Sequence, residues 1–144
     1  MAIWLKLVGA VDAPMPNPWL EGRNDLRDEV GFAKRAAVDV GEELVMYAIP
    51  QRRIIGIAEV MSHPIKADRA GEERWPWRSR IAWKIAIADY SRCPTLMDIS
   101  VPGHRDLRSS VQRQSHIGLT WAEYERARSL LVEAFDAERG DLRA

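Results

Sequence analysis

One cysteine, two phenylalanines and no net charge set the first limits on this chain of 144 residues. A lone Cys93 cannot close an internal disulfide, so a reducing cytoplasm is the expected setting. No apolar run comes near the roughly 20 residues that a membrane span requires. The segment Met1 to Lys6 lacks the basic start, long apolar core and small-residue cleavage site of a secretory signal. Glycine-rich phosphate loops are missing too: Gly9, Gly22 and Gly31 stand apart, with no Lys-Ser/Thr ending. His63, His104 and His116 have no cysteine partner at zinc-ligand spacing, so no metal site is expected. Cys93 stands in no defined relation to a histidine, so no catalytic residue is assigned and no cofactor is implied. Acid–base chemistry by an isolated Asp, Glu or Lys leaves no sequence signature.

Tryptophan, by contrast, is plentiful, with six residues in the chain. Trp75, Trp77 and Trp83 fall in the short run Glu73–Trp83 together with Arg74, Arg78 and Arg80. Indoles beside guanidinium groups can sandwich a planar ring and neutralise a phosphate at one place. The same composition also suits a strand with buried tryptophans and solvated arginines. The charge balance has local structure. Residues 51–116 carry 12 Lys/Arg against 7 Asp/Glu, and both flanks are acidic. That surplus suits a small anionic ligand or a short nucleic-acid contact, and falls short of the basicity of many duplex-binding domains.

The length fits a single domain spanning residues 1–144. Ile3–Val8 reads as a first, mostly buried strand. Pro14, Pro16 and Pro18 then hold the chain extended, and the polar stretch Arg23–Glu29 leads to a short helix expected over Gly31–Ala37. Glu43–Ile49 and Arg53–Val60 are apolar runs joined by Pro50-Gln51-Arg52, which is hairpin spacing. Gly56 inside the second run points to a bulge or a close backbone approach. A loop over Ser62–Glu73, a long strand over Trp77–Ala88 and a short strand over Met97–Val101 are expected next. Thr120-Trp121-Ala122-Glu123 is a capping box that opens a C-terminal helix. Its inward face would be Trp121, Tyr124, Ala127, Leu131, Ala134 and Phe135, with Gly140 as its stop. The expected fold class is α+β: a curved, mostly antiparallel sheet closing towards a barrel, flanked by helices.

Periodicity assigns Trp4, Trp83 and Trp121 to the core. Trp19, Trp75 and Trp77 differ, because each lies in or beside a proline-containing loop where binding sites are often built. Such Pro-Trp pairs equally serve to clamp a loop onto the core. Between the last strand and the C-terminal helix, residues 108–116 hold one apolar side chain, Val111. This segment is either a solvated connection or a wall of donors, with Ser110 and Gln112 reading a base edge while Arg108 and Arg113 hold phosphate.

Several of these segments, in this order, resemble the EVE domain of the PUA-like superfamily and its relative, the YTH domain. They are Gly31-Phe32-Ala33, Gly41–Tyr47, Gly56–Ser62, Trp75-Pro76-Trp77-Arg78-Ser79-Arg80-Ile81, Ser110-Val111-Gln112 and Thr120–Leu131. The resemblance covers nearly the whole chain and implies a PUA-like pseudo-barrel. It further implies a pocket for one flipped, modified nucleobase inside an aromatic cage. By position Trp75 matches a cage tryptophan of the YTH pattern, and Trp19 lies near another. Ala70 stands where YTH has a third, which points towards the EVE type. On this resemblance the cage is Trp19, Trp75 and Trp77. Ser62, Ser110 and Gln112 recognise polar edges, and Arg78, Arg80 and Arg113 hold phosphate. The partner would be DNA or RNA carrying a modified base, or a free nucleoside-like ligand. Two rivals remain. One is an amidohydrolase acting on acylated nucleosides, like some ASCH domains, using Lys66, Asp68 and Glu59. The other is a protein-interaction module whose exposed tryptophans meet a partner chain.

Overall fold

The computed structural model describes residues 2–9, 28–67, 74–111 and 116–143, with residues 141–143 as backbone alone. Its strands are β1 (Ile3–Val8), β2 (Glu29–Phe32), β3 (Glu43–Ala48), β4 (Arg53–Val60), β5 (Ile65–Lys66), β6 (Trp77–Ala86) and β7 (His116–Gly118). Its helices are α1 (Leu96–Ile99), α2 (Leu107–Ser110) and α3 (Trp121–Arg143), with a 3-10 turn over Tyr90–Arg92. The sheet runs β2-β6-β4-β3-β1-β7, and β5 pairs with β6 off that path. The β1–β3 pair is parallel and the other pairs are antiparallel. The sheet curls into a half-barrel, the α+β architecture expected of a PUA-like fold. Among the described residues no helix is long and apolar enough to cross a membrane.

The centre of the sheet follows from its two longest apolar runs. β3 and β4 bury side chains on both faces, which is why they read as continuous rather than alternating hydrophobic stretches. Their register shifts between Met46 and Tyr47, and the β4–β6 register shifts between Ile57 and Ala58. Both irregularities lie within two residues of Gly56, and bulges of this kind bend a strand and increase its twist. A Cβ on Gly56 would run into the carbonyl oxygen of Ile85 and lie 2.8 Å from the Trp83 ring. The sequence therefore spends a glycine where the sheet is most tightly folded on itself.

The capping box of α3 forms as expected: the Thr120 N–H donates to Glu123 Oε1 at 2.8 Å, and the Glu123 N–H donates to Thr120 Oγ1 at 3.2 Å. Tyr124, Ala127, Leu131 and Ala134 face the core. Glu123 has a second partner that the sequence did not reveal. Arg105 grips its carboxylate through Nη2 at 2.7 Å and Nε at 2.9 Å, and also donates to the Gly118 carbonyl at 2.6 Å. Glu123 is 1% exposed, and burial alone would raise its pKa; the hydrogen bonds from Arg105 and Thr120 more than offset this and hold it low. Removing Arg105 leaves that carboxylate buried with only its cap. Because the guanidinium is itself partly solvated, Arg105→Ala should cost about 2 kcal/mol in a urea melt. A loss within experimental error would show that solvent replaces the pair.

Five expectations need correction. Gly31 and Phe32 lie in β2 rather than in a helix, because pairing Phe32 with Trp77 and Gly31 with Arg78 overrides the local helical pattern. Met97–Val101 is not a strand: Leu96–Ile99 is one helical turn, closed by a capping box between Thr95 and Asp98. Trp121 is 66% exposed and leans on Tyr124 with ring centroids 5.3 Å apart, since the first position of α3 points off the core. Finally, α3 does not stop at Gly140 but runs on to Arg143. Trp4 and Trp83 pack against the core half-buried rather than inside it.

Candidate nucleic-acid interface

The start of β6 gathers most of the described candidates. Arg78 is opposite Gly31 of β2 and Ile65 of β5, while Trp77 is opposite Phe32 and Lys66. Gly31 is the seat of this arrangement. A Cβ there would collide with the Arg78 guanidinium and lie 2.7 Å from Trp75 Cβ. Only the absence of a side chain lets Trp75 and Arg78 settle onto the β2 backbone. The Arg74 guanidinium lies over the Trp75 indole, 5.1 Å from its centroid, and Trp75 itself is half-buried. Trp77 is half-buried and packs against the core.

The two strand arginines have different situations. Arg78 Nε lies 3.3 Å from Glu29 Oε1, and its side chain is only 10% exposed. Arg80, two residues on, is exposed and has no ion pair among the described residues. Its backbone N–H donates to Ser62 Oγ at 2.8 Å. Ser62 thus extends the β4–β6 ladder beyond Val60, with its hydroxyl oxygen already accepting one bond. Ser110 ends α2 and its hydroxyl donates to the Asp106 carbonyl at 3.3 Å. The neighbouring Val111 borders a groove of about 600 Å³ that Leu7, Tyr47 and Leu96 also line. Leu7 points away from the face of β1 that carries Lys6. Trp19, Gln112 and Arg113 lie outside the described residues. The structure therefore brings Trp75, Trp77, Arg78, Arg80 and Ser62 to one end of β6, and carries Ser110 on α2.

Beside this cluster lies one that composition did not flag. Lys6 of β1 is 1% exposed, donates to the Leu7 carbonyl at 2.6 Å, and places its ammonium 4.8 Å from the centroid of the Phe32 ring. Opposite it on β7 is His116, whose ring meets Phe32 and Trp4 edge-on at centroid distances of 5.4 and 5.3 Å. Burial, with a further push from the positive Arg78, brings the Lys6 pKa down to about 7. Burial and the positive charge of Lys6 lower that of His116 as well. The signal was present in Ile3-Trp4-Leu5-Lys6-Leu7-Val8: a lysine at an inward period of a strand otherwise apolar.

Of the hydrolytic rival's residues, the two that the structure describes, Glu59 and Lys66, form no ion pair with each other. Glu59 lies 3.9 Å from Lys84, which also pairs with Glu43; Lys66 is exposed on β5, and Asp68 is outside the described residues. Cys93 is buried, and burial first, then Glu138, pushes its thiol up to about 12. No group of His, Cys, Asp and Glu among the described residues is arranged to hold a metal ion.

Solved structures share this fold at low sequence identity. Protein Atu2648 from Agrobacterium tumefaciens matches with a TM-score of 0.59 and 19% identity, over 90% of this chain and 93% of that one. Human THYN1, solved in complex with DNA containing 5-methylcytosine, matches with a TM-score of 0.58 and 14% identity, over 92% and 98% of the two chains. The YTH domain of Mmi1, solved in complex with RNA, matches with a TM-score of 0.56 and 13% identity, over 92% and 79%. No protein-family model matches the sequence, and no curated protein does. The fold is therefore the one these structures share, a YTH domain among them.

Proposed function

We propose that this chain is a nucleic-acid-binding domain that accepts a flipped, modified base at the mouth of the half-barrel beside Trp75. One observation carries the reading: Trp75 and Arg78 are seated together on the bare backbone of Gly31, with the exposed Arg80 next along the strand. An indole fixed in place loses little entropy on stacking, and a free guanidinium alongside it meets the phosphate that follows the base. Two neighbours in fold were solved on nucleic acid, one on methylated DNA and one on RNA, which supports the ligand class. Trp19 and Trp77 complete the cage in this reading, with Ser62, Ser110, Gln112 and Arg113 as polar contacts. Arg78, tied to Glu29, positions the indole and lends its charge; Arg80 is the phosphate hand.

Fluorescence titration with matched single-stranded oligonucleotides, modified and unmodified, tests this. A single strand avoids the few kcal/mol needed to unstack a duplex base. Binding should quench tryptophan emission and weaken with added salt. Trp75→Ala should weaken it about tenfold, since stacking contributes roughly 1–3 kcal/mol per base. Binding indifferent to that substitution, or no binding across a broad panel at low salt, would sink the proposal.

A further inference from the structure

Lys6 is poorly served by the fold. Its ammonium has three donors, and the only acceptor it meets among the described residues is the Leu7 carbonyl. The groups that face it come from four strands. From β3 comes Met46, directly opposite and apolar; from β7, His116; from β2, the Phe32 ring; from β6, the positive field of Arg78. The nearby carboxylates are already engaged. Glu29 holds Arg78. Glu42 accepts from the Trp4 indole at 3.1 Å, from the Ala2 N–H at 2.9 Å and from the Asp39 N–H at 2.8 Å. Among the described residues the cluster therefore carries more positive than negative charge in a place sheltered from water.

A second group nearby is unsatisfied. Ser79, next to Arg78 on β6, is fully buried, and its hydroxyl has no hydrogen-bond partner among the described residues. It pairs with Val30 as Trp77 pairs with Phe32, so Ser79 lies on the same face of β6 as the residue opposite that ring. A methionine at position 6 would fill similar space without the cost of burying a cation. Among the described residues, an ammonium with a single neutral acceptor and a buried hydroxyl with none describe a site short of one acceptor that carries charge.

We infer that the Lys6–Phe32–His116 cluster, with Arg78 behind it, receives an oxyanion of the ligand. A neutral carbonyl would satisfy one donor but leave the charge excess; a carboxylate or phosphate oxygen removes both deficits. The inference rests on the proposed nucleic-acid function and deepens it. The bound group is negatively charged, either as an acidic substituent on the base or as a backbone phosphate. Because Lys6 is about half protonated near neutral pH, binding of an anion draws in a proton, roughly half a proton per site at pH 7.

Three probes separate the possibilities: inorganic phosphate, a single strand with one 5-methylcytosine, and the same strand with one 5-carboxylcytosine. Calorimetry in buffers of different ionisation enthalpy counts the protons taken up, and the 13Cε shift of Lys6 reports its titration directly. An acidic base as the source predicts that the carboxyl strand binds about tenfold tighter than the methyl strand near pH 6.5, with the gap closing near pH 8.5 and in Lys6→Met. A phosphate source predicts equal binding of the two strands, proton uptake with both, and an upward shift of the Lys6 titration with inorganic phosphate. Lys6→Arg keeps the charge and should retain anion binding, which guards against a folding defect in Lys6→Met. Equal, tight binding of both strands with no proton uptake and no loss in Lys6→Met would overturn the anion site and leave base binding standing. If neither strand bound while phosphate still shifted Lys6, the anion site would survive and the nucleic-acid function would fall.

Discussion

Lys6→Met should be more stable than the wild-type chain at neutral pH, and its advantage should shrink as the pH rises. The ammonium of Lys6 is fully buried beside Phe32 with one backbone acceptor, and its pKa falls to about 7. In the unfolded chain the same group titrates near 10.4. Between those two values the unfolded state binds a proton that the folded state does not, so wild-type stability climbs with pH. Below the lower value both states are protonated and the burial penalty is present in full. Above the upper value both are neutral and the penalty is gone. At about 1.4 kcal/mol per pH unit, the wild type should gain roughly 2–3 kcal/mol on Lys6→Met between pH 7 and pH 9. Urea midpoints of the two proteins at both pH values measure this. Parallel pH profiles would mean that Lys6 is charged or neutral alike in both states.

Gly56→Ala should lose about 3 kcal/mol, because its new methyl group meets atoms that cannot retreat. The obstacle is the Ile85 carbonyl, part of the β4–β6 ladder, together with the face of Trp83. A flexible side-chain end would swing away; a backbone carbonyl in a sheet does not. Gly118→Ala supplies the control. It is exposed, and nothing lies within 4 Å of its added Cβ, so its stability should stay within about 0.5 kcal/mol of wild type. Equal melting midpoints for the two variants would show that the sheet relaxes around residue 56.

The uneven legibility of this fold has physical causes. β3, β4 and β6 announce themselves because each is an unbroken or alternating apolar run, and α3 because Thr120 and Glu123 stand at capping distance. β2 did not, since four residues with a glycine have no period of their own and become a strand only against β6. The short helix α1 carries its signal in Thr95 and Asp98, a capping pair too brief to outweigh the strand-like Met97–Val101 around it. At the candidate site, the run from Trp75 to Arg80 was visible in composition. What composition could not show is that Arg78 would be tied to Glu29, 49 residues earlier in the chain. Nor could it show that Lys6 would be sealed under Phe32 and His116, because these contacts join strands far apart in the sequence.

The parallel docking of β1 on β3, with β7 on its other edge, has a consequence for how the protein is born. β1 is completed by a strand made much later in synthesis, since the partner of residues 4–6 is residues 116–118. Until that tripeptide emerges, one flank of β1 has no neighbour and the Lys6 amine lacks its cover of imidazole. An amine-reactive probe applied to arrested nascent chains of increasing length would therefore find Lys6 open until β7 emerges and shut thereafter. A side chain on β1 would time the arrival of a strand more than a hundred residues further along.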